Sequence, residues 1–164
     1  MALVLTAPLM AGATGRLTSL DSRLLAAHNR ERDSADVPPL EWDEALAADA
    51  AAWGEELAES GAFEHEPTDE DDPEPQGENL WAGTSGAFTP EAMVGLWIAE
   101  KKHFRSGRFP DNSRTGRLED VGHYTQLMWR ETGRVGCALA EGAEEEVLVC
   151  RYSQAGNVEG ERPF

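Results

Sequence analysis

The chain has 164 residues, enough for one domain with a buried core; 40% of them are hydrophobic and five are tryptophan. Fourteen basic residues face 31 acidic ones, for a net charge of −17. That balance excludes nucleic acid as a partner, because phosphate neutralisation needs a basic surface, and it weakens attraction to anionic membranes.

Residues 1–16 are apolar and small and run into Ala11-Gly12-Ala13, the A-x-A pattern of a secretory cleavage site. No Lys or Arg precedes the apolar run, so the alternative is an N-terminal arm. The run is too short to span a bilayer, and no later segment could. The expectation is a signal-like or disordered leader over 1–16, a single domain over 17–164, and a secreted or periplasmic location.

Leu17, Leu20, Leu24 and His28 recur at helical spacing, with Thr18 or Ser19 as cap. His28 reads as a core histidine bonded to backbone groups. Leu46, Ala50, Trp53 and Leu57 mark a second helix, capped by Asp43 and ended by Gly61. The acidic, Pro-rich run from Glu64 to Glu78 reads as a loop, and "ENLWAG" as a short strand. Thr89 and Pro90 open a third helix whose buried face is Met93, Leu96, Trp97 and Phe104. A loop to about Leu118 and a short helix near "VGHYTQLMW" precede the final hairpin.

In that hairpin, a turn centred on Ala143 and Glu144 sets Cys137 opposite Cys150, Val135 opposite Tyr152 and Leu139 opposite Leu148. All six share one face, and opposed cysteines lie within disulfide reach; the alternative is two buried thiols. The fold class is α+β, helices around a small, mostly antiparallel sheet.

Six of the fourteen basic residues fall between Lys101 and Arg117. They form either a solvated loop facing acidic neighbours or a basic lip for an anionic ligand. Glu100 shares the third helix's apolar face with Met93 and Trp97, where a carboxylate needs a partner. Glu78 enters an apolar strand, His65 follows the second helix, and His123 sits in "GHYTQLMW". Two histidines and two carboxylates suit either a divalent metal such as Zn²⁺ or general acid–base work. No compact metal motif joins them.

"GHYTQLMW" followed by "RETGRVGCALA" resembles the signature of the CAP superfamily, the cysteine-rich secretory, antigen 5 and pathogenesis-related 1 proteins with an SCP-like domain. "AAHNRERDSADVPPLEWDEALAADAAAW", "GENLWAG", "LWIAE" and "VCRYSQAGNVEGERPF" follow the family's order, so the resemblance covers roughly Leu20 to Phe164. It implies a three-layer α-β-α sandwich with a central cleft and a tetrad of His65, Glu78, Glu100 and His123, with His65 and His123 as metal ligands. The segment after His65 is longer than the family's usual one, and this insertion at 66–76 either displaces His65 or hangs an acidic flap over the cleft. The resemblance also matches the Cys137–Cys150 pair to a bridge in smaller members.

Three functions are compatible with these features. The first is an exported, monomeric, non-enzymatic binding protein whose cleft takes Zn²⁺ or another divalent ion, with a lipid, sterol or protein as further ligand. The second is an envelope or secreted interaction module that uses the insertion or the basic loop. The third, ranked last, is a metal-dependent, peptidase-like hydrolase, since no Ser or Cys sits in a nucleophile motif.

Overall fold

The computed structural model describes residues 15, 17–67 and 72–164. The leader reading therefore lies outside the described residues apart from Gly15, as does Thr68–Asp71 of the insertion. In chain order the elements are α1 (Leu20–Asp33), β1 (Glu41–Trp42), α2 (Glu44–Ser60), β2 (Gly77–Thr84), α3 (Pro90–Ile98), α4 (Gly122–Leu127), β3 (Arg134–Glu141) and β4 (Glu145–Ser153). Short 3₁₀ turns at Ala99–His103 and Leu118–Asp120 flank the segment between α3 and α4.

The four strands form one sheet in the order β1-β3-β4-β2. All pairs are antiparallel except the two-residue parallel contact of β1 with β3. Strand alternation gives the sheet two apolar faces. On one, Val135, Cys137, Leu148, Cys150 and Tyr152 join Leu24 of α1, Met93 and Trp97 of α3, and Tyr124 and Leu127 of α4. On the other, Val147, Val149 and Leu80 meet Ala50 and Leu57 of α2. The result is a three-layer α-β-α sandwich. Each fully buried Leu or Met contributes about 1.5–3 kcal/mol of transfer free energy.

Local chemistry explains the helix ends. The Asp43 carboxylate accepts from the Ala45 and Leu46 amides, and Gly61 closes α2 at φ 71°. Thr89 caps α3 through the Ala92 amide, with Pro90 in its first turn. At α1 Ser19, one of the two expected caps, adopts φ 56° and makes no side-chain capping bond. The helix starts instead under the pull of Leu24, Ala27 and His28 into the core. α3 also differs from its expected face, because Val94 is buried and Leu96 is 51% exposed. Glycine is required at 136, where a Cβ would lie 2.2 Å from the Ala47 amide nitrogen. That close approach seats the start of α2 against β3.

The β3–β4 register pairs Cys137 with Cys150, Val135 with Tyr152 and Leu139 with Leu148, and the two cysteines form a disulfide with Cα atoms 4.1 Å apart. This bridge staples the strands that back the α1, α3 and α4 layer. Replacing both cysteines by alanine is expected to cost about 2–3 kcal/mol in urea unfolding while circular dichroism stays unchanged. Equal stability of the two forms would contradict a structural role.

Candidate functional site

The first site element is α4. It is only six residues long, so its position comes from partners rather than propensity. The buried Arg32 side chain donates to the carbonyls of Leu127, Trp129, Thr132 and Pro38 at 2.7–2.9 Å. Three of these lie at or just beyond the C-terminal end of α4, where carbonyls lack helical donors and favour a cation. Burial still pulls the guanidinium down to about 10. Gln126 binds the Gly156 amide at 2.8 Å and rests against Gly77, where a Cβ would sit 2.1 Å from its carbonyl oxygen.

α4 then presents His123 beside the 3₁₀ turn that follows α3. Glu100 Oε1 accepts from His123 Nδ1 at 2.6 Å, and its Oε2 accepts from the Tyr124 amide at 3.0 Å. The imidazole also stacks on Trp97, with centroids 6.1 Å apart and planes 15° from parallel. With Nδ1–H given to a carboxylate, Nε2 of the neutral ring carries the free lone pair.

The second histidine repeats the arrangement from β2. Glu78, only 8% exposed in its side chain, accepts from His65 Nδ1 at 2.5 Å. Its other oxygen lies 3.2 Å from the Arg151 guanidinium, as an ion pair without a directed hydrogen bond. Arg151 also pairs with Glu66 at the base of the insertion. Beyond His65, the order Glu78, Arg151, Glu66 thus alternates charge from the cleft outward. The insertion does not displace His65. Of its described residues, Glu66, Asp72 and Gln76 line a separate cavity with Arg151, and Pro73 and Glu74 line another beside Trp129 and Arg134.

His65, Glu78 and His123 line one cavity of about 320 Å³, together with Asn79, Leu118, Glu119, Gly122 and Asn157. Glu100 is not in the lining and stands behind His123. Among the described residues, no three His, Cys, Asp or Glu side chains are gathered to hold a metal by themselves. Two imidazoles of the lining are each fixed through Nδ1 by a carboxylate, the kind of outer contact that orients histidine ligands.

His28 lies outside the cavity but connects to it. Its Nδ1 donates to the Leu24 carbonyl, and its Nε2 accepts from the Tyr152 hydroxyl, both at 2.8 Å. The Asn79 amide nitrogen lies 3.2 Å from that hydroxyl and 3.1 Å from the His123 carbonyl. Sequence reasoning misses Arg32, Asn79 and Arg151, and it places Tyr152 only on the buried face of the hairpin, opposite Val135. Arg32 was signalled by its helical spacing from Leu24 and His28, and Arg151 by its alternation with Val147 and Val149 on the buried face over α2.

The two histidines tilt stability in opposite directions with pH. The hydrogen bond to Glu78 raises His65 above its ordinary 6.5 against a smaller opposing effect of burial. Its stabilisation is complete below 6.5 and is lost as pH rises through the raised folded value. Burial pushes His28 down to about 4, so stability falls as pH drops from 6.5 toward 4. In urea unfolding, His65→Ala is expected to lag the parent more at about pH 6 than at about pH 9, and His28→Gln to flatten the acid limb. A His65→Ala deficit that grows with pH would contradict the assignment.

Comparison with known proteins agrees with this architecture. The chain is 35% identical over 141 residues to a PR-1 type pathogenesis-related protein of Sambucus nigra, covering 84% of this chain and 78% of that one. It is 33% identical over 141 residues to pathogenesis-related protein 1A of Nicotiana tabacum, with 85% and 78% covered. Among solved structures, NaASP2 with Zn²⁺ superposes at TM-score 0.71 and 20% identity, over 97% of this chain and 90% of that one. BmVAL-1 superposes at TM-score 0.70 and 22% identity, over 93% and 85%. The profile of the cysteine-rich secretory protein family, CAP, matches residues 25–152, and the chain belongs to that family.

Proposed function

We propose that this chain is an exported binding domain whose cleft takes Zn²⁺ or another divalent cation through Nε2 of His65 and His123. The observation that carries the reading is the matched pair of contacts, Glu78 on His65 Nδ1 and Glu100 on His123 Nδ1, around one cavity. Each carboxylate fixes its ring, raises the basicity of the opposite nitrogen and lends negative charge to the cation. A bound ion would act as a Lewis acid toward a ligand's oxygen or nitrogen. Two protein nitrogens leave the remaining coordination positions to water or to that ligand. Leu118 is the one large aliphatic side chain in the lining, so a lipid or sterol would have to lie outside this cavity.

Export is supported by the A-x-A pattern at residues 11–13, the disulfide, and membership of a family described as secretory. Among the described residues no helix is long and apolar enough to cross a membrane. Among the described residues no Ser, Thr or Cys lines the cavity, which disfavours hydrolysis through a covalent side-chain nucleophile.

Calorimetric titration of Zn²⁺ into the metal-stripped full chain tests the reading. One-site saturable binding is expected, abolished in His65→Ala and His123→Ala and weakened about 10–100-fold in Glu78→Gln and Glu100→Gln. Absence of binding by the folded parent, or affinity unchanged in His123→Ala, would contradict it. Peptide hydrolysis that vanishes in His123→Ala would move the assignment to a metal-dependent hydrolase.

A further inference from the structure

Away from the cleft lining, β3 has an open edge. Asp43 N donates to the Val135 carbonyl, so the backbone groups of Val135 point toward β1. Alternation directs the N–H and C=O of Leu139 and Glu141 to the same side. β1 has ended by then, because the chain turns into α2 at Glu44. Among the described residues neither makes a backbone bond on that side, and β4 occupies the other. Such an edge is a template for a further strand.

A cavity of about 500 Å³ runs along this edge. Its opposite wall is one stripe of α2, with Ala51, Glu55, Ala58 and Glu59 at i, i+4, i+7 and i+8. The alanines leave room for a chain to approach β3. Glu55, Glu59 and Glu141 are exposed and lie in no ion pair among the described residues. Their charge repels another copy of a chain carrying −17 and attracts a basic segment.

We propose that the β3 edge and the α2 stripe form a docking slot for an extended peptide segment with alternating basic side chains, which adds as a fifth strand beside β3. Main-chain bonds to Leu139 and Glu141 supply the register. Glu55 and Glu59 select lysine or arginine at alternate positions of the partner, on the face of the added strand that meets α2. The slot lies apart from His65 and His123, and its occupancy is independent of metal in the cleft.

The test uses the full chain and a short capped peptide alternating lysine with valine or threonine. Amide hydrogen exchange by NMR reads Leu139 and Glu141 directly. Saturating peptide is expected to slow both amides by about tenfold or more. The same peptide N-methylated at the edge-facing amides is expected to lose that protection. The double variant Glu55→Gln, Glu59→Gln is expected to weaken binding by about tenfold or more while leaving the fold intact. Absence of binding, binding without slowing of these two amides, or equal binding of the N-methylated peptide would overturn the proposal, the last by showing attraction to the acidic body alone. Slowing that grows with protein concentration in the absence of peptide would assign the edge to a second copy, and would overturn it as well.

Discussion

The arrangement of this protein depends on a guanidinium removed from water and held by carbonyl oxygens. Arg32 takes the end of α4, the turn into β3 and the segment after α1 into one set of hydrogen bonds. A buried cation is costly, and four acceptors in good geometry offset that cost only if all four are in place. The contact is therefore cooperative: α1, α4 and the start of β3 either assemble around Arg32 together or leave a charge unsatisfied. It gives a six-residue helix, too short to persist alone, a fixed position in the sandwich.

What α4 gains in position it passes to His123. The ring is held by Glu100 at its edge and Trp97 on its face, and its backbone carbonyl is held by Asn79. Asn79 in turn leans on Tyr152 and His28, which closes a polar chain from α1 through the sheet to α4. His65 has less behind it. Its side chain is 65% exposed, and its fixed partner is Glu78, itself set by strand register opposite Arg151. The cleft thus has one rigid wall and one looser wall.

Much of this was readable from sequence where geometry is local. The hairpin register follows from the turn and the alternation of Val135, Cys137 and Leu139, because a one-residue slip would bury Glu146 and Arg151 against the wrong layer. The caps at Asp43 and Thr89 follow from residue chemistry. The cleft is different. His65 and Glu78 are 13 residues apart across an acidic insertion, and no spacing rule brings them together. Glu100 lies where α3 tightens into a 3₁₀ turn at Ala99, so its direction departs from an α-helical projection. Leu96 shows the same limit, since its position three residues after Met93 suggested burial while the helix turns Val94 inward instead. Residue chemistry marks His65, Glu78, Glu100 and His123 as candidates, and only the resemblance to the family gathers them into one tetrad.

The account rests on which nitrogen of each ring faces the cavity. Long-range ¹H–¹⁵N NMR of the metal-free protein, at a pH where both rings are neutral, reads this directly. The geometry predicts that His65 and His123 each carry the proton on Nδ1, toward Glu78 and Glu100, and leave Nε2 bare. A proton on Nε2 of either ring would contradict the account, because that carboxylate would then face a lone pair and the cavity would receive a donor in place of a ligand atom.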